Sequence, residues 1–482
     1  MPNSDFPVKQ SSTLGQFWLP GQETTQVTGV LTVDGSEVCL EVSPGLTPFH
    51  TFSRLDASRW PMETTQDATD MVVLGSIPTS PSFVTVWDAI TTQRRTVGMP
   101  SPLDPQSQPA AQTLSATWCV VGDHLPEPNT KLFGVRPDVT NLAEWAWIPA
   151  ASQTFYPDDR LRYDWHINLR GKSLDVELAD GTGYITLGPA ASMSSLGIRG
   201  FNVRTSSQLE IELVSGWSMT EVVERALLPL ADLMTILSGA DCGVRSLEVW
   251  TAKWCSVHGY NIAPSAPASA GKLLFSQPEV GADFLARWFD LHYRTTPVPQ
   301  ILAAAIRDEF PTVEAQALSL ATAVEALHRT LYPRARRFSE DEITKSLAAL
   351  EISEIPTAVA DTFASALRQH WHELSYPQRI RALAEPVSTA VPDCIGRVGR
   401  WKEAVADQRI SLAHGMEQGR LETDQILRMS ALNRSLQWML TLRLLLEAGI
   451  DAAVLKTATS ELDRYRADRA QWRKAWPRIF MQ

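Results

Sequence analysis

The sequence predicts an α+β chain of more than one domain, a β-rich N-terminal part followed by an all-helical bundle. Three observations predict it. Up to about residue 213 the chain is rich in Thr, Val, Gly, Pro and Trp, in short stretches that alternate apolar with polar residues. A small-residue segment at 263–270, Ala-Pro-Ser-Ala-Pro-Ala-Ser-Ala, then interrupts it as a linker. Beyond that segment the apolar residues recur with a period near 3.6 over long runs.

The first elements follow from alternation and turn chemistry. Residues 27–33 read as a strand, Asp34-Gly35 as a tight turn, and 36–42 as the returning strand. Further strands are expected at 71–75, 84–88, 118–121, 174–178 and 209–213, with Asp180-Gly181 as a second hairpin signal. The stretch 220–237 has helical period and ends at Gly239, and 246–252 returns to strand character. After the linker, helices are expected at 281–293, 311–331, 341–350, 356–374, 391–414, 423–448 and 451–476. Pro311 and Pro356 suit a first helical turn. The expected domains are therefore 1–262, with its one helix near 219–238, a linker at 263–272, and a helical domain with a helical tail at 273–482.

Size and composition narrow the classes. A chain of 482 residues exceeds one compact core. The net charge of −11 excludes a global positive field, so any nucleic-acid site must be a local basic patch. Five scattered cysteines (Cys39, Cys119, Cys242, Cys255 and Cys394) form no CxxC pair, which argues against a zinc ribbon or a disulfide framework. The start Met1-Pro2-Asn3-Ser4-Asp5-Phe6 lacks a signal-peptide pattern, and no apolar run reaches the ~18 residues of a membrane span. The expectation is a cytoplasmic, reduced protein with no membrane partner. Neither a cofactor nor a metal is expected; His370 and His372 lie two apart, on nearly opposite sides of a helix.

The residues with most chemical content stand at the end of the predicted helix 391–414, where Arg409 precedes His414 and Gly415 follows. An imidazole can move the proton of a ribose 2′-hydroxyl, and a guanidinium can hold a phosphate as charge builds on it. Gly415 suits the left-handed position after a helix, which places His414 in the last turn. There the helix dipole favours imidazolium modestly. The five-residue separation sets Arg409 and His414 about 140° apart around the axis. They are not on one stripe, and a site built from two copies across a two-fold axis resolves that geometry. On spacing alone the pair reads more readily as a surface arginine and a capping histidine, because two common residue types recur at one separation by chance.

The stretch resembles the HEPN superfamily, whose helical domains carry an arginine and a histidine with four to six residues between them at a helix end. The run 318–328, with Glu325 in an "alEal" pattern, resembles that family's earlier helix. Tyr376-Pro377-Gln378-Arg379-Ile380 resembles the intervening helix, and Trp401-Lys402-Glu403-Ala404-Val405 the lead into the motif. This similarity covers roughly 279–449. Gly15-Gln16-Phe17-Trp18-Leu19-Pro20-Gly21, Val121-Gly122-Asp123-His124-Leu125 and Leu142-Ala143-Glu144-Trp145 resemble landmarks of the N-terminal domain of the ApeA family of bacterial anti-phage proteins.

The resemblance implies a metal-independent endoribonuclease of abortive-infection type. Its catalytic residues would be Arg409 and His414, its products a 2′,3′-cyclic phosphate and a 5′-hydroxyl, and its target structured RNA, notably tRNA. The two-copy geometry points to a homodimer or higher even-numbered oligomer, and the need to restrain a toxic nuclease points to a phage-derived or small-molecule trigger at the N-terminal domain. Many catalytic members have a polar residue directly after the arginine, where this chain has Ile410 and then Ser411.

Supporting residues are expected at Glu325, Asp407 and Ser411, and RNA contacts at Arg400 and Lys402. Glu325 serves as readily in a structural ion pair, and a solvated helix face is the more ordinary place for Arg400 and Lys402. The basic and aromatic residues after 451 could grip RNA or pack on the body. The tryptophans of the β region (Trp18, Trp60, Trp87, Trp118, Trp145, Trp147 and Trp165) read mostly as core, and Asp123 and His124 as loop residues. The alternative function is a non-catalytic HEPN dimerisation or nucleotide-binding protein with a ligand-sensing β domain.

Overall fold

The computed structural model describes residues 11–47, 51–52, 63–64, 70–95, 109–127, 129–155, 163–169, 173–195, 201–260, 262, 272–352, 354–414 and 422–481. The chain divides into two compact units, Met1–Met234 with Cys242–Ala270, and Thr235–Asp241 with Gly271–Gln482. The linker segment 263–270 lies outside the described residues.

The first unit opens with β1 (Ser11–Trp18), β2 (Val27–Asp34) and β3 (Glu37–Ser43). A short pair, β4 (Thr51–Phe52) and β5 (Glu63–Thr64), precedes β6 (Met71–Ser76), β7 (Phe83–Arg95) and β8 (Ala111–Val121). β1, β2, β3, β8, β7 and β6 pair antiparallel in that order, and β6 returns to β1. They close a six-stranded barrel, which leaves no edge between them. Alternation fills its interior: in β2 Val27 and Leu31 are buried, in β3 Val38, Leu40 and Val42. Phe17 lies at the centre against Gly29 and Gly75. A Cβ at those two positions would come within 2.9 Å and 2.5 Å of its ring.

Beyond the barrel come β9 (Leu132–Val139), a separate hairpin of β10 (Ala151–Phe155) and β11 (Tyr163–Ile167), then β12 (Leu174–Glu177), β13 (Gly183–Ser195) and β14 (Phe201–Trp217). β15 (Val244–Trp250) and β16 (Trp254–Gly259) complete the strands. β16 pairs with the end of β8, and the sheet continues as β15, β9, β14, β13 and β12.

Helix α1 (Leu142–Ala146) sits against β9 and β14. The expected helix near 219–238 is α2 (Met219–Val222), a π-helical turn at Val223–Leu227, and α3 (Leu228–Ser238). A capping box of Ser218 and Glu221 starts it. The π turn ends two residues before Pro229, which has no N–H to continue the ladder.

The second unit is helical. Its helices are α4 (Gln277–Val280), α5 (Asp283–Thr295), α6 (Val298–Ile306), α7 (Val313–Leu331), α8 (Glu340–Glu351) and α9 (Thr357–Ala366). They continue as α10 (Tyr376–Ala390), α11 (Pro392–Ile395), α12 (Val398–His414), α13 (Thr423–Glu447), α14 (Ala452–Glu461), α15 (Asp463–Ala475) and α16 (Pro477–Phe480). α7, α10, α12 and α13 pack on one another as the core of the bundle. α13 is its axis, buried at Leu436, Met439, Leu440 and Leu444.

Several expectations are corrected. The first hairpin turn is Gly35-Ser36, because Asp34 still pairs with Glu37 in the ladder. The run 391–414 is not one helix: Gly396, at φ 62°, breaks it between α11 and α12. The run 451–476 breaks at Leu462, whose backbone is extended. The run 356–374 is α9 followed by a π turn at Leu367–Trp371. α6 was not anticipated. Trp18, Trp87, Trp118 and Trp145 are core, but Trp147 is 71% exposed and holds a left-handed φ of 48°. Trp60 lies outside the described residues, as does the side chain of Trp165. In the tail, Tyr465 and Trp472 are buried.

Candidate functional site

Three elements of the helical unit converge on Arg409. α12 carries it, α7 carries Glu325, and α10 begins beneath it. A capping box of Ser375 and Gln378 fixes the start of α10, with Tyr376 as its first residue and Pro377 as its second. Nη2 of Arg409 donates to Oε2 of Glu325 at 3.0 Å. The guanidinium carbon lies 4.3 Å from the centre of the Tyr376 ring. A planar cation is thus held on one edge by a carboxylate and on one face by an aromatic ring, while its side chain stays 38% exposed.

The restraint continues inward. Glu325 also accepts from Nη2 of Arg329 at 3.3 Å, and the same nitrogen donates to Glu373 at 2.9 Å. Arg379, buried, donates to Glu373 at 2.6 Å and to the Leu374 carbonyl at 3.0 Å. Burial pulls the Glu373 carboxyl upward, but Arg329 and Arg379 together hold it below its ordinary value. Burial, with help from Arg379 and Arg329, pushes the neighbouring His328 imidazole down to about 4. Burial raises the Tyr376 phenol above its usual range, so it stays neutral; its hydroxyl has no hydrogen-bond partner among the described residues.

Outside Arg409 lies an open depression of about 340 Å³, lined by Leu318, Thr322, Arg409, Ile410 and Ala413. Ile410, within it, is 54% exposed. One basic group, Arg409, therefore stands with the hydroxyl-bearing Thr322 beside the apolar Leu318, Ile410 and Ala413.

The other expected residues fall elsewhere. Arg400, Asp407 and Ser411 line a second depression of about 470 Å³, with Glu403, Gln408, Trp476 and Arg478 among its walls. Helical period explains the division. Residues 400, 407 and 411 share one stripe of α12, while 402 and 409 share another. Position 414 belongs by register to the stripe of 407 and 411. Lys402, half-buried, stands two turns before Arg409. His414 is the last residue of α12; its side chain, and Gly415, lie outside the described residues. Thus Arg409 and Glu325 are brought together, and Asp407, Ser411 and Arg400 are not beside them.

Tyr376, Arg329 and Glu373 were not anticipated as neighbours of the site. The Glu325/Arg329 spacing of four is a readable signal for a helical ion pair. Nothing local to Tyr376 announces that its ring lies under an arginine 33 positions later in the chain. Among the described residues, no group of three or more His, Cys, Asp or Glu side chains could hold a metal. The five cysteines are free thiols. No helix of the described residues is long and apolar enough to cross a membrane.

Comparison with known families gives two matches. The family model described as ApeA N-terminal domain 1 matches residues 12–288. The model described as Apea-like HEPN matches residues 318–454, a span that contains Glu325, Tyr376, Arg409 and His414. No curated protein and no solved structure matches the chain.

Proposed function

The chain belongs to the ApeA family and carries a HEPN domain, and from that premise we propose that it is a metal-independent endoribonuclease of anti-phage defence, acting on structured RNA such as tRNA. The observation that carries this reading is the fixed yet exposed guanidinium of Arg409. Held by Glu325 and stacked on Tyr376, it is oriented before any substrate arrives.

The chemistry divides between two groups. His414 takes the proton of a ribose 2′-hydroxyl, and the freed oxygen attacks the adjacent phosphorus. The bond from phosphorus to the 5′-oxygen breaks, and that oxygen receives a proton from an imidazolium. The products are a 2′,3′-cyclic phosphate and a 5′-hydroxyl. Arg409 neutralises the charge that builds on the non-bridging oxygens, where a preorganised donor is most effective. A target in a loop suits this path, because an unstacked nucleotide can swing its 2′-hydroxyl in line.

One copy is half of the site. Arg409 and position 414 lie on different flanks of α12, and the surface beside Arg409 is apolar at Leu318, Ile410 and Ala413. A second copy packed against that surface would bring its own histidine toward the first copy's arginine, with the phosphate in the seam. The N-terminal unit would receive the trigger, and Asp407, Ser411, Arg400 and Lys402 would face RNA or the second copy.

The test is RNA cleavage in EDTA with the wild-type chain, Arg409→Ala and His414→Ala, reading the product ends. Cleavage should persist in EDTA, leave cyclic phosphate ends, and fall by about 10²-fold or more in each variant. Cleavage that survives either substitution would remove that residue from the mechanism. A wild-type dimer that binds RNA without cutting it would make the helical domain a binding module.

A further inference from the structure

We propose that the loop between α7 and α8, together with the exposed end of α9, is a second RNA subsite, one that binds the single strand flanking the scissile phosphate. This rests on the ribonuclease reading above for its substrate class. The site consists of Arg334, Arg336 and Arg337 beside the aromatic pair Phe363 and Trp371.

The chain carries more acidic than basic residues, 54 against 43, and around the site most arginines are spent on carboxylates. Arg334, Arg336 and Arg337 are not. All three are exposed, and none has a carboxylate partner among the described residues. At the acidic start of α8, Asp341 pairs with Lys345 at 2.7 Å and Glu342 caps its own helix through Ser339, while Glu340 is exposed and forms no ion pair with the three arginines among the described residues. The loop is nevertheless held in shape. Arg336 donates to the carbonyls of Pro333 and Ala335, and the backbone N–H of Arg337 donates to the His372 carbonyl at 2.7 Å.

That last bond joins the arginines to the aromatics. Trp371, next to His372, is 46% exposed, and Phe363 is 38% exposed, with ring centroids 5.5 Å apart. Arg337 also lies over the Phe338 ring, 5.1 Å from its centre. Exposed cations with no carboxylate partner among the described residues, beside partly exposed aromatic rings, suit the backbone and bases of a single-stranded nucleic acid. The same bond joins the patch to Arg409. Glu373, the residue after His372, ends the chain of ion pairs that runs through Arg329 and Glu325 to Arg409. Neither α8 nor α9 has a buried residue, so the hairpin presents its surface without the bundle covering it.

The two contributions predict different signatures. An RNA with 2′-O-methyl riboses cannot be cut by this chemistry, so its binding is measured apart from cleavage. Fluorescence anisotropy with such an oligonucleotide is taken over a salt series. Replacing Arg334, Arg336 and Arg337 together by Ala should weaken binding about tenfold or more. It should also flatten the slope of log K against log salt by about 2, at roughly 0.7 per phosphate contact. Lysine at the same three positions should restore most of both. Trp371→Leu should weaken binding about tenfold and leave the slope unchanged.

Wild-type affinity and slope in the triple alanine variant would overturn the proposal. So would a Trp371→Leu variant whose sedimentation changes while its RNA affinity does not, since the aromatic pair would then be a protein contact. A wild-type chain that binds no RNA would overturn it as well. Binding with the predicted slopes but no cleavage of unmodified RNA would sink the nuclease reading and support the subsite.

Discussion

Helix α13 and the α8–α9 hairpin belong to the same unit and have opposite characters. From Ala431 to Leu445 nearly every residue of α13 is buried, polar ones included. Asn433 is fully enclosed, bonded to Gln408, Gln316 and the Val313 carbonyl. α8 and α9 bury nothing, and Ile352 between them is 87% exposed. The difference teaches where this protein keeps its stability and where it keeps surface for other molecules. α12 lies between the two extremes. Its inner face buries Trp401, whose indole donates to Ser435 of α13 at 2.8 Å, and its outer face carries Arg409.

Three measurements sharpen or break that contrast. The largest effect is expected in α13. Leu440→Ala, at a fully buried position, should cost about 2–5 kcal/mol of unfolding free energy in a urea titration. A cost below about 1 kcal/mol would mean that α13 is not the axis of the bundle.

The next concerns His328 on α7, buried at 1% exposure with its imidazole pKa lowered to about 4. In the unfolded chain a histidine titrates near 6.5, so between about pH 6.5 and 4 the unfolded state binds more protons. Stability should therefore be full above that window and fall by about 1–3 kcal/mol as pH drops through it. Comparing wild type with His328→Gln isolates this contribution from the carboxylates that titrate in the same range. Parallel pH profiles would contradict it.

The smallest effect belongs to the hairpin. Ile352→Ser should change stability by less than about 0.5 kcal/mol. A larger loss would show that another surface covers Ile352 in solution.

How much of this was legible in the sequence depends on the range of the interaction. The β-to-α change of character, the helical period around Glu325 and the separation of Arg409 from His414 are local patterns, and each can be read in order. The division of α12 into two stripes follows from its period alone, and it already separates Arg409 from Asp407 and Ser411. Short-range detail was less legible where a single backbone angle decides it. Gly396 reads as helix-compatible in an apolar run, yet its positive φ ends α11. Asp34-Gly35 reads as a turn, yet the ladder extends one residue further and displaces the turn.

Long-range partners were not legible at all. Barrel closure joins β1 to β6 and β3 to β8 across intervening strands, and alternation reports only that one face of each strand is buried. Tyr376 has the pattern of any residue opening a capped helix. Only the packing of α10 against α7 and α12 sets its ring under Arg409.

The sequence by itself determined a β-rich half, a helical half, and a helix whose last turns carry an arginine and a histidine about 140° apart around the axis. Those conclusions need only backbone period and side-chain polarity. The tertiary structure decided that Arg409 is held by Glu325 and Tyr376, that Asp407 and Ser411 look the other way, and that three exposed arginines, without a carboxylate partner among the described residues, stand near exposed aromatics. Each of these depends on which distant segment fills the space next to a side chain, and periodicity says that a face is covered without saying by what.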